Sequence, residues 1–386
     1  MSEAGGPGAD SLGAEFLAID WATDAPPRLE ACPNCGAEGP KPPALGVSWI
    51  ETRRGKPMRR ALFTCPACSC RYFEPIRLPD YHDWLLIGWP ELHAQQGAGL
   101  WPIDSPLARI RKPRGSRYLE IGCGYGFALD FAAHARGWRA LGIDPAPLAE
   151  IGCRLLGAGL RQGYFPAADP EILPWDVMAA TEVIEHLARP LDLLREMRAR
   201  LADDGVLLLT TPDGEAIRPD TPRAALAQLL APELHMVFQT KASLARLLAE
   251  AGFAHAVIER DATSLVAFAS PSPFALDEDI ARQRLMFLDY LAARASALPS
   301  ESDLGLGFAG RAMAEAANDG DFERATAMRD HLWSAIRGRY GLDLDALDHL
   351  PQALRALPLQ RLRAAMPFNL ATILFAEGMR RLGLGA

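Results

Sequence analysis

A run of closely spaced glycines, Glu120-Ile-Gly122-Cys-Gly124-Tyr-Gly126-Phe127, constrains this chain more than any other feature. It follows a short apolar segment, Tyr118-Leu-Glu-Ile121, and opens a stretch of helical spacing. Glycines there permit a tight turn and bring backbone N–H groups close to a ligand with no Cβ in the way. The spacing departs from the dinucleotide fingerprint G-x-G-x-x-G, because the third glycine comes one residue early and position 127 is Phe. Glu120 adds a second constraint. A carboxylate at a strand end is ill placed beside a pyrophosphate but suits a ligand that carries an ammonium group and hydroxyls.

Further apolar runs bounded by turns, at residues 139–143, 176–180 and 206–210, read as strands buried on both faces. Helical spacing fills the gaps: Phe127, Phe131 and Ala135 precede Gly137, and Leu191, Leu194 and Leu201 precede Gly205. This alternation predicts an α/β fold, a Rossmann-like doubly wound and mainly parallel sheet, over residues 105–272. Residues 1–30 read as a flexible tail, 31–72 as a cysteine module, 73–104 as an aromatic connector and 273–386 as an all-helical domain. In that last part Leu285, Leu288, Ala292 and Ala295 form one stripe and Ala325, Met328, Leu332 and Ile336 another, with Asn318-Asp-Gly-Asp321 as the turn between helices.

The formal net charge of −8 disfavours bulk nucleic-acid binding, since a chain that neutralises several phosphates usually presents a basic face. No stretch reaches the roughly 18 to 20 apolar residues of a membrane span, and the acidic, Gly-rich N-terminus is unlike a secretory signal. A cytoplasmic protein is expected, with homo-oligomerisation through the helical domain as an option.

The E-x-G-x-G-x-G run resembles the first motif of class I S-adenosylmethionine-dependent methyltransferases, over roughly residues 110–270. The resemblance implies that Glu120, Gly122, Cys123, Gly124, Gly126 and Thr181 contact the cofactor S-adenosyl-L-methionine. Asp144, at the end of the next strand, is placed to accept hydrogen bonds from ribose hydroxyls. Tyr164-Phe-Pro-Ala-Ala-Asp169 falls where the family holds the adenine. Thr181-Glu-Val-Ile-Glu-His-Leu187 and the segment from His235 to Leu244 are similar to the branch that includes ubiquinone-pathway O-methyltransferases and many sugar and natural-product enzymes.

Methyl transfer to a hydroxyl requires alignment of donor and acceptor and a means of removing the acceptor proton. Glu182, Glu185 and His186, at the carboxyl end of a strand, are the candidate catalytic residues. With His235 they can hold Mg²⁺ or a related divalent ion, and the E-x-x-E-H pattern with a later His resembles the metal site of small-RNA 2′-O-methyltransferases. His186 as a metal-free base, and a purely structural cluster, stand beside the metal reading.

Cys32-Pro-Asn-Cys35 and Cys65-Pro-Ala-Cys68 are two C-x-x-C knuckles able to place four thiolates on one zinc ion, with Cys70 as a substitute for Cys68. Between them, residues 47–52 and 59–64 read as a hairpin turning at Arg54-Gly55-Lys56. The arrangement resembles zinc ribbons at the front of several sugar and antibiotic methyltransferases. Cys123 and Cys153 read as small packing residues.

Arg53, Arg54, Lys56, Arg59 and Arg60 make the hairpin basic, either as a solvated face or as a clamp for a phosphate-bearing acceptor. Tyr81, Trp84, Trp89 and Trp101, with His82 and His93, suggest a lid or acceptor wall, or packing between domains. The expected activity is O-methylation of a sugar or hydroxylated small molecule. Sugar C-methylation, rRNA or tRNA methylation and a non-catalytic scaffold are the alternatives.

Overall fold

A computed structural model describes residues 17–51, 55–76, 81, 89–169, 174–346, 357 and 359–385 of the chain. Its first part is an antiparallel sheet of β1 (Ala18–Asp20), β2 (Pro43–Ile50), β3 (Pro57–Thr64) and β4 (Arg71–Glu74), completed by β10 (Val237–Phe238) from far along the chain. The expected hairpin is β2 and β3, paired with Val47 opposite Arg60, and Gly55 takes the left-handed backbone of its turn at φ 61°. Arg53 and Arg54 lie outside the described residues.

The tail reading gives way at β1. Ile19 pairs with Val47, and Leu17 is buried in a core with Leu45, Leu62 and Phe73, so apolar residues fasten this edge strand. Residues 1–16 lie outside the description.

After α1 (Pro90–Gly97) and α2 (Trp101–Arg109) comes the alternating segment. It runs β5 (Arg117–Ile121), α3 (Phe127–His134), β6 (Arg139–Asp144), α4 (Pro147–Leu156), β7 (Gly159–Gln162), β8 (Trp175–Thr181), α5 (Pro190–Arg200) and β9 (Leu201–Pro212). Then follow α6 (Arg223–Leu230), α7 (Lys241–Glu250), β11 (His255–Asp261) and β12 (Ser264–Ser270). The seven-stranded sheet has the order β11-β12-β9-β8-β5-β6-β7; β12 is antiparallel to both its neighbours and the remaining pairs are parallel.

The winding reverses between β5 and β8, because β6 and β7 extend the sheet one way and β8 and β9 the other. Loops at the carboxyl ends of these two strands part there and leave a crevice. One face of the sheet packs with α5 and α7 through Leu194, Met197, Leu244 and Leu248. The other packs with α3 and α4 through Leu129, Phe131 and Leu156, and that core continues into the C-terminal helices. Leu201, expected on the helix before Gly205, instead opens β9.

The C-terminal helices are α8 (Ile280–Ala297), α9 (Asp303–Asn318), α10 (Phe322–Tyr340), α11 (Leu359–Ala365) and α12 (Leu370–Leu384). The Asn318–Asp321 turn separates α9 from α10 as expected, with Gly320 at φ 76°. One stripe residue differs: Leu285 is 55% exposed, because the buried side of α8 is set by Phe287, Leu288, Tyr290 and Leu291. Among the described residues no helix is long and apolar enough to cross a membrane.

Candidate functional site

The glycine run forms the loop from β5 to α3, with Gly122, Gly124 and Gly126 all at positive φ. A Cβ at Gly122 would lie 2.6 Å from Val183 Cγ2, so glycine is needed for the close approach of two loops. A Cβ at Gly124 would meet nothing within 4 Å, so this backbone borders open space, as a cradle for a ligand requires. Asp144 holds the loop's shape: its carboxylate accepts from Gly124 N at 2.9 Å and from Ala146 N at 2.7 Å. Its remaining lone pairs can accept from a vicinal diol.

Glu120 is buried beneath this loop. Thr181 Oγ1 donates to its Oε1 at 3.2 Å, whereas Oε2 has no partner in the protein. Burial pushes the Glu120 carboxyl up to about 8. A buried carboxyl with an orphaned oxygen suits a cationic ligand group, which would restore its charge. Cys123 points the other way, with its thiol against Gly142 and Cys153.

A cavity of about 200 Å³ occupies the crevice, lined by Gly122, Asp144, Phe165, Glu182 and His186 among others. Tyr164 and Phe165 bring the expected adenine segment onto its wall. Tyr81 also lines it, and its ring meets that of His186 at a centroid distance of 6.0 Å. The other described connector aromatics serve packing: Trp89 lies on Phe368, Trp101 on Phe287, and His93 stacks on Tyr125. His82 and Trp84 lie outside the described residues.

Glu185, His186 and His235 offer one ligand atom each, all within 4.8 Å of one another. Glu182 is not in that group; it stands exposed on the cavity wall with its backbone at φ 53°. The expected four-residue set is thus three residues plus a neighbour. Thr211 Oγ1 donates to Glu185 Oε2 at 2.9 Å, and His235 Nδ1 lies 2.7 Å from Leu229 O. If that Nδ1 carries the proton, Nε2 keeps its lone pair for a ligand. The two imidazole rings are 5.0 Å apart and nearly perpendicular.

Burial, followed by the nearby charge of Glu182, holds Glu185 well above the usual carboxylate range. Burial, aided by His235, brings His186 down to about 4. Burial disfavours the charged form of each of the three groups, and Glu185 Oε1 and His186 Nδ1 lack hydrogen-bond partners. Two neutral imidazoles and a carboxyl oxygen fit a divalent transition ion better than Mg²⁺, which prefers oxygen ligands.

Cys32, Cys35, Cys65 and Cys68 form the other mutually close group. Their Sγ separations of 3.9 Å for Cys32 to Cys68 and 3.8 Å for Cys35 to Cys65 match the edge of a tetrahedron. That edge is about 3.8 Å for Zn–S bonds of about 2.3 Å. Cys70 Sγ lies 3.5 Å from Cys32 Sγ but outside the set of four.

Arg60 departs from the clamp reading. It is 6% exposed and donates to the carbonyls of Pro232 and Pro75, at 2.8 and 2.7 Å. Lys56 and Arg59 remain exposed, with Arg59 3.8 Å from Asp20. Thr211 also joins this site, outside the motifs named above. The available signal was Thr210-Thr211 at the carboxyl end of a predicted strand, on the edge where open sheets keep their sites.

Residues 102–257 match the family described as a methyltransferase domain. The tRNA U34 carboxymethyltransferase of Serratia proteamaculans (strain 568) is 32% identical over 118 residues, which cover 29% of this chain and 36% of the relative. That of Aeromonas salmonicida (strain A449) is 30% identical with the same coverage. The chain thus spans about a third of the length of the curated relatives it matches. Among solved structures, an S-adenosylmethionine-dependent methyltransferase of Mesorhizobium loti is 19% identical, with a TM-score of 0.36 over 45% of this chain and 98% of that one.

Proposed function

We propose, for a chain whose residues 102–257 match a methyltransferase domain family, that S-adenosylmethionine occupies the crevice cavity and methylates a hydroxyl of a sugar or other small molecule. The donor supplies an electrophilic methyl carbon; the protein aligns the partners, excludes water and removes the acceptor proton. The loop of Gly122, Gly124 and Gly126 brings backbone to the donor, Asp144 accepts from its ribose, and Glu120 with Thr181 answers its ammonium group. Glu182, on the cavity wall, faces the acceptor.

The observation that carries this reading is that Glu185, His186 and His235 converge, with His186 on the wall of the cavity that Asp144 also lines. A general base works best with a pKa near the working pH, and His186 at about 4 is a weak one. A neutral imidazole is also the form that binds a metal. Metal assistance therefore accounts for this cluster better than His186 acting alone, with Glu185, His186 and His235 as ligands. Zinc in the Cys32, Cys35, Cys65 and Cys68 set serves structure.

The test is formation of S-adenosylhomocysteine with a panel of hydroxylated sugars, phenols and bulk tRNA. His186→Ala should lower turnover by about 100-fold or more, the usual scale for losing proton-transfer assistance, while calorimetry shows S-adenosylhomocysteine binding nearly unchanged. A chelator that spares the cysteine site should do the same. Normal turnover in the variant would refute the assignment. Methylation of tRNA alone would move the acceptor to nucleic acid, the reading that the tRNA-modifying relatives support.

A further inference from the structure

The cysteine module is joined to the Glu185, His186 and His235 cluster by more than chain connectivity. β10 begins two residues after His235 and pairs with β4, with Val237 opposite Tyr72. Phe73 N donates to Met236 O at 2.9 Å, and Met236 N donates to Glu185 O at 2.7 Å. Met236 and Val237 also share one buried cluster with Cys32, Cys65, Cys68 and Cys70.

A polar chain runs beside this packing. Asn34, inside the first knuckle, directs Nδ2 at Cys68 Sγ at 3.8 Å and accepts from Gln239 Nε2 at 2.8 Å. Gln239 Oε1 in turn accepts from Ser243 Oγ at 2.7 Å. Both amides are buried, at 3% and 0% exposure, so they are fixed by these partners rather than by water. A second tie bonds Ser69, between Cys68 and Cys70, to Thr240 across 2.7 Å.

We infer that Asn34 and Gln239 are positioning residues through which the cysteine cluster holds His235 against His186. The inference rests on the proposed function for the role of His235. Zinc held by Cys32, Cys35, Cys65 and Cys68 would fix the knuckle and hence Asn34; Asn34 fixes Gln239, four residues after His235; and β10 is held between β4 and Glu185. Loss of metal or of the relay frees the His235 segment while leaving the glycine loop and Asp144 in place.

The experiment uses the full chain purified with zinc, as wild type, Gln239→Met, Asn34→Ala and wild type stripped of zinc. Folding is read by a cooperative thermal transition and the cofactor site by calorimetry with S-adenosylhomocysteine. The relay is read by amide exchange over residues 235–239 and by the rate at which diethyl pyrocarbonate modifies His235. Gln239→Met should retain zinc and cofactor affinity, exchange these amides about tenfold faster and expose His235 to faster modification, as zinc removal should in the wild type. With a working acceptor, kcat should fall about tenfold with the cofactor KM unmoved. Unchanged exchange and reactivity in both folded variants would overturn the relay. Absence of S-adenosylhomocysteine binding in the wild type would instead count against the methyltransferase reading, leaving the exchange result to decide the relay.

Discussion

Glu120 shows what a buried carboxyl with one unpartnered oxygen costs. Thr181 satisfies one oxygen and nothing in the protein satisfies the other. Burial raises the carboxyl from 4.5 to about 8. Because the folded value lies above the unfolded one, its contribution to stability is whole below about 4.5, declines as the pH climbs and reaches its floor above about 8. Glu120→Gln removes that dependence. Without cofactor, urea unfolding should find the variant gaining on the parent between pH 5 and 8, by on the order of 4 kcal/mol; a gap that stays constant with pH would sink the account. The meeting of the glycine loop with Asp144 and of the four knuckle cysteines was legible in the sequence because short, regular spacing places these residues on adjoining strand ends and turns. Arg60 was not, since its carbonyl partner at Pro232 lies 172 residues away and only tertiary packing brings them together.

At the scale of elements, α9 is the pivot of the helical part. It packs against α1, α8, α10 and α12, and twelve of its residues are buried. Its small residues make this possible: a Cβ at Gly307 would come within 2.3 Å of Ala94 O on α1, where backbone cannot yield as a flexible side chain does. Gly307→Leu should therefore destabilise the protein by about 2–3 kcal/mol or more, as overpacking does, and denaturant unfolding of the cofactor-free protein measures it. A loss under about 0.5 kcal/mol, the range of an ordinary surface change, would show that α1 moves aside freely. The long parallel strands were readable as apolar runs, since burial on both faces demands them. β1 and β10 were not, because strands of three and two residues owe their state to the edges they join. Leu285 was misplaced for a related reason: helical spacing identifies a stripe, but only the neighbouring elements decide which stripe is covered.

For the molecule as a whole, the boundary expected at residue 272 marks a change of secondary structure without a break in the core. One hydrophobic cluster contains Tyr118, Leu129 and Phe131 from the α/β part and Phe287, Phe308, Leu332 and Ile373 from the helices. A buried polar joint crosses the same boundary. Asp130 on α3 accepts from Tyr290 Oη at 2.8 Å and from Arg294 Nε at 2.9 Å, and the paired side chains of Asp130 and Arg294 are 1% and 9% exposed. Removing one partner of a buried ion pair typically costs about 3–5 kcal/mol, and cutting the chain at 272 would also uncover Phe131 and its neighbours. A fragment ending at 272 should then aggregate or melt without cooperativity, although every residue that lines the crevice cavity lies within it. Arg294→Met in the full chain provides the milder case, since the apolar core around it survives while Asp130 loses its guanidinium partner and keeps Tyr290. That variant should fold, with an unfolding free energy lower by about 3 kcal/mol. A cooperative, monomeric 1–272 fragment that binds S-adenosylhomocysteine as the full chain does would show that the helices are an attachment to the catalytic part; its failure beside a folded Arg294→Met would show that they complete its core.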